Sequence, residues 1–142
     1  VRVSALVLAL LASACATGTA GIASDVRSAV DAVASVIDPL YEAAAVACDT
    51  TERLVVARPS DEERDARDLL AIREACDRSF LAFDAVRRSH ISAVALIRVA
   101  EASSSSPDLA SALEAVEALR AATEVARSTW RDTLLALKGK RR

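Results

Sequence analysis

The side chains of this sequence with the most chemical reach are three thiols and one imidazole: Cys15, Cys48, Cys76 and His90. A thiol can carry an acyl group, pair as a disulfide or ligate a metal. Zinc would require Cys48, Cys76 and His90 to converge. His90 stands 14 residues after Cys76, about 21 Å along one helix, so no metal site is expected. The many serines invite a Ser-His-Asp arrangement, but no nucleophile elbow or other local signature accompanies them. The chain is therefore expected to be neither an enzyme nor a holder of any cofactor. His90 lies between Val86 and Val94 on an apolar seam, which reads as a buried or boundary histidine with a hydrogen-bond partner.

The first cysteine has a context of its own. Residues 1–14, VRVSALVLALLASA, place one arginine before an apolar run from Ala5 to Ala12, and small residues follow. This is the layout of a secretory signal. The run is shorter than the roughly 20 residues that a permanent membrane span needs. Ala12-Ser13-Ala14-Cys15 resembles the lipobox of bacterial lipoproteins. The resemblance covers only these 15 residues. It implies cleavage before Cys15, a diacylglycerol on its sulfur and an acylated (palmitate-type) new N-terminus. Several acyl chains on one residue anchor stably where a single chain is marginal. Ala16, where inner-membrane retention uses aspartate, implies sorting to the outer membrane, facing the periplasm. Val1 in place of methionine reads as a GTG start. Export would put Cys48 and Cys76 in an oxidising compartment, where an even pair is expected to form a disulfide.

The elements that position these groups are helical. Hydrophobic residues make up 53% of the chain, yet glycine and proline number only three each, too few turn residues for a β-sandwich. Arginine outnumbers lysine 16 to 2, which reads as GC-rich coding. Formal charge is −2, and removing residues 1–14 takes away Arg2 and no acid, leaving 17 basic against 20 acidic residues. That near-balance gives no reason to expect nucleic-acid binding.

Residues 15–21 form an expected lipidated tether, and three helices follow at about 22–57, 61–102 and 107–138. The first has an apolar stripe at alternating steps of three and four, through Val30, Ile37, Ala44, Ala47, Thr51 and Leu54. Pro39 should kink it near residues 35–39. Ser60 and Glu63 have capping-box spacing for the second helix, and the run Asp61–Asp68 reads as a solvated helix start. Ser106 is the expected cap of the third helix, with Pro107 in its first turn. Gly139 should end it, leaving 139–142 as a basic tail. That tail either grips an anionic lipid or glycan, or serves as a solubilising end beside the helix dipole. Long helices with short connections imply an all-α, antiparallel, up-down-up three-helix bundle.

Register follows from the thiol pair. If Cys48 and Cys76 are level, so are Leu54 and Leu70, six residues away on each helix, and Tyr41 and Phe83, seven residues the other way. Counting about 25 residues either way from the polar break at 103–106 brings Phe80 level with Trp130. All four aromatic residues should then form one cluster beside the disulfide. The tail should face the acidic Asp61–Asp68 segment, or something across the periplasm, rather than the bilayer that holds the anchor.

These observations point to a membrane-anchored envelope lipoprotein whose helical domain is a structural or partner-binding module. Its expected partners are the membrane, through lipid on Cys15, and an envelope protein or a second copy. Two alternatives share the same anchor: a phage-type outer-membrane spanin-like lysis subunit, and a periplasmic ligand-binding or stress-sensing bundle.

Overall fold

The computed structural model describes residues 19–57, 61–103 and 105–140. The expected signal peptide 1–14, Cys15, most of the tether, Ser60 and the last two arginines lie outside them. Three helices pack against each other, α1 (Thr19–Val56), α2 (Glu62–Ser103) and α3 (Ser106–Lys140), and no strand occurs among the described residues. Cross-helix partners show the antiparallel order. Asp38, Cys48 and Glu52 of α1 meet Arg87, Cys76 and Arg73 of α2, descending as α1 ascends. Asp68 and Ser79 of α2 meet Lys140 and Thr133 of α3 in the same sense.

The helix ends differ from the expected ones for local reasons. α1 begins at Thr19, so residues 19–21 belong to it rather than to the tether. Gly21 costs an α-helix only about 1 kcal/mol relative to alanine, too little to delay the start. The cap of α2 is Asp61, whose Oδ1 accepts from the Arg64 backbone N–H at 3.1 Å. Aspartate caps about as well as serine and adds a negative charge to the positive end of the helix dipole. The cap of α3 is Ser105 rather than Ser106. Its Oγ accepts from the Asp108 N–H at 3.3 Å and donates to the Asp108 carboxylate at 2.6 Å. Three residues beyond Ser106 stands Leu109, which cannot reciprocate. The helix passes through Gly139 to Lys140, because the Lys140 ammonium donates to Asp68 at 2.6 Å and holds the last turn. The expected meeting of the basic end with the acidic segment is thus present in this pair.

Pro39 sits within α1, which runs on to Val56. Its missing N–H leaves the Ser35 carbonyl without a helical donor. The chain divides into two compact units, and their boundary on α1 falls between Ser35 and Val36. Unit 1 gathers α1 up to Ser35 with Arg88–Leu119. Its buried residues are small or single aliphatics: Val30, Ala93, Ile97, Ala112, Ala115 and Leu119. Arg27 pairs with Glu101 across it at 3.3 Å. Unit 2 gathers Val36–Arg87 with Arg120–Arg142, and the largest buried side chains, Phe83, Ile72 and Leu137, are in it. The apolar seam of α1 passes through Cys48, Thr51 and Val55, so Leu54 and Leu70, expected to meet in the core, are 47% and 59% exposed. A step of four from Thr51 keeps a 3.6-residue helix on the core side better than the step of three to Leu54.

Candidate functional site

Of the thiols expected to do chemistry, Cys15 lies outside the described residues, and Cys48 and Cys76 form a disulfide with Cα atoms 6.3 Å apart. The bond sits in a dry cluster with Val55, Ile72 and Leu137, and Ala47, Leu69, Phe80 and Trp130 pack against it. At 6% and 4% exposure the sulfurs are shielded from exchange partners, so this disulfide is a structural staple rather than a redox site. The aromatic cluster adjoins it. Tyr41 lies 5.0 Å from Phe80 and 6.1 Å from Phe83 between ring centroids, and Phe83 lies 6.1 Å from Trp130. The Trp130 ring meets Phe83 rather than the expected Phe80. A helical side chain leans toward the N-terminus of its own helix, and on antiparallel α3 that direction points to higher numbers on α2.

Several polar groups within unit 2 are met in pairs. Ser79 Oγ donates to Thr133 Oγ1 at 2.9 Å, and Thr133 Oγ1 donates to the Ala75 carbonyl at 2.9 Å. This short chain ties α2 to α3 inside the core. On the outer edge between α1 and α2, Arg73 donates twice to Glu52, and Arg87 donates twice to Asp38 while its guanidinium lies 4.2 Å above the Tyr41 ring. The bond to Asp38 holds the Arg87 pKa above its usual range. In unit 1 the Ser103 and Ser105 hydroxyls hold the Asp108 carboxyl below the usual carboxylate range. None of these edge pairs was legible in the sequence, where Asp38 simply lies off the apolar stripe.

His90 has the expected boundary position, but one of its ring nitrogens lacks the expected partner. It is half-buried, but its Nε2 is buried without a hydrogen-bond partner, so no hydroxyl or carboxylate among the described residues engages that nitrogen. Nor, among the described residues, do three histidine, cysteine or acidic side chains gather where they could hold a metal ion. No described helix is long and apolar enough to cross a membrane. The arrangement is a stapled core with exposed aliphatics such as Val46 and Leu135 on its surface. Comparison with protein-family models, curated proteins and solved structures finds no match for this chain.

Proposed function

We propose that this protein is a bacterial envelope lipoprotein, held by lipid on Cys15 and presenting a three-helix module to a partner. The observation that carries the reading is the segment VRVSALVLALLASAC, a charged start, a short apolar run and small residues before a cysteine. The Cys48–Cys76 disulfide supports it, since such bonds persist in exported proteins and are rare in the cytosol. Ala16 after the cysteine favours the outer membrane, facing the periplasm. Unit 1, which contains the start of α1, adjoins the anchor in sequence. Acylation has a direct readout. Intact-mass analysis of the membrane fraction should find residues 1–14 removed and acyl mass on Cys15, and Cys15→Ser should abolish both. An unmodified Cys15 thiol in the wild-type protein would refute the assignment.

A further inference from the structure

One face of unit 2 combines two stripes. On α1, Val36, Pro39, Ala43, Val46, Thr50 and Leu54 are all exposed. They recur at steps of three and four, within about 40° of one line along the helix, and no charged residue falls among them. Tyr41, Asp38 and Glu52 turn α1 toward α2. The opposite flank of the buried seam, at half-buried Leu40 and Ala47, therefore turns toward α3. The bare stripe continues that flank outward. On α3, Thr133 and Lys140 meet α2. This leaves the side of Leu134 for α1, and Arg127, Arg131 and Lys138 lie just beyond it, within about 20° of one line. Packed helices stand about 8–10 Å apart, so the apolar and the cationic stripe run side by side and point the same way. Leu134 and Leu135, both exposed, flank the cations.

The cations on this face outnumber its acids: within unit 2, exposed Glu124, one turn before Arg127, is the carboxylate that falls within about 40° of their line. Arg127, Arg131 and Lys138 are exposed and have no carboxylate partner among the described residues. The arginines on the α1–α2 edge, by contrast, are paired. Beside the apolar stripe a second copy of the chain would offer these cations a single unheld acid, Glu42, since Asp38 and Asp49 are held by Arg87 and Arg53. A surface that is both anionic and apolar beneath meets both stripes. We infer that the α1–α3 face of unit 2 docks on an anionic phospholipid surface. Val46, Leu54, Leu134 and Leu135 enter the interfacial region, and Arg127, Arg131 and Lys138 bind headgroup phosphates. The chain as a whole carries −2, so a preference for anionic lipid must come from a local cluster, and the triple variants separate this face from the basic ends at Arg2 and Arg141–Arg142.

The inference takes its membrane setting from the proposed anchoring, but its test removes the anchor. The full chain carrying Cys15→Ser cannot be acylated there. Its partition would be measured on phosphatidylglycerol-rich and on pure phosphatidylcholine vesicles. The apolar run at residues 5–12 is common to every arm and cancels from the ratio of the two. The expected ratio favours the anionic vesicles strongly. It should collapse toward one near 1 M salt, where the screening length is about 3 Å. Each cation contributes about five-fold at such a surface, so Arg127→Gln/Arg131→Gln/Lys138→Gln should lower the ratio on the order of hundredfold. Arg64→Gln/Arg67→Gln/Arg78→Gln removes the same charge from exposed positions of α2, off this face, and should leave the ratio nearly unchanged, with circular dichroism confirming that both variants are folded. A ratio near one for the Cys15→Ser chain, or equal losses in the two triple variants, would overturn the inference without touching Cys15 acylation. So would a dimer in sedimentation equilibrium that Val46→Asp dissociates, if it comes without lipid preference; that result would assign the face to a second copy.

Discussion

Reducing the Cys48–Cys76 bond is the cleanest perturbation, because it changes the unfolded chain while leaving every side chain in place. The disulfide spans a sequence separation of 28. On the chain-entropy model, closing such a loop removes about 12 cal/mol/K from the unfolded ensemble, or roughly 3–4 kcal/mol at 25 °C. For a chain of this size that corresponds to a fall in Tm of about 10–15 °C. Cys48 and Cys76 are 6% and 4% exposed, so reductant must act on the unfolded chain, followed by refolding under reducing conditions. The assay is urea denaturation followed by helical circular dichroism, oxidised against reduced, in the Cys15→Ser background to prevent mispairing. A larger m-value is expected on reduction, since an uncrosslinked chain exposes more surface. A stability difference below about 1 kcal/mol would show that the unfolded chain already holds α1 against α2, and would refute the entropic reasoning. Free thiols at both positions in protein isolated without reductant would refute the bond itself.

The aromatic cluster should be graded by burial. Phe83→Ala, at 0% exposure, should cost about 3–5 kcal/mol. Trp130→Ala should cost less, about 2–3 kcal/mol, because part of its ring already meets water; thermal or urea unfolding of the two variants gives the order. Thr133→Val keeps the shape but takes the acceptor from the buried Ser79 hydroxyl, while the Ala75 carbonyl keeps its helical donor, costing about 1–2 kcal/mol. A double-mutant cycle with Ser79→Ala should show that removing both hydroxyls costs less than the two single changes added together. Asp108 provides a pH test. Its folded carboxyl titrates below the usual range because Ser103 and Ser105 bond it, so its contribution is complete above the unfolded pKa of about 3.9 and disappears as pH falls through the lower folded value. Asp108→Asn should therefore be less stable than wild type at neutral pH and match it in strong acid; a gap that stays constant with pH would show that the carboxylate charge plays no part.

Periodicity and composition alone determined much of this protein. Apolar residues at steps of three and four, few turn formers and two polar breaks leave little besides three long helices, because each must bury its stripe against a neighbour. The thiol spacing carried the register of α1 against α2, and with it the neighbourhood of Tyr41, Phe80, Phe83 and Trp130, since residues at equal counts from a crosslink are level in an antiparallel pair. The tertiary structure decided what depends on angle and reach. Whether Leu54 or Val55 enters the core turns on about 100° of helix rotation, and a stripe drawn from apolar residues cannot choose between two adjacent ones. The cap of α3 falls one residue earlier than expected because the partner three positions on, Asp108 for Ser105, selects among neighbouring serines. The pairs Arg87–Asp38, Arg73–Glu52 and Lys140–Asp68 join side chains between 21 and 72 residues apart. Only the packing of whole helices brings such charges within reach, and the same packing lines up the unpaired cations of α3 beside the bare stripe of α1.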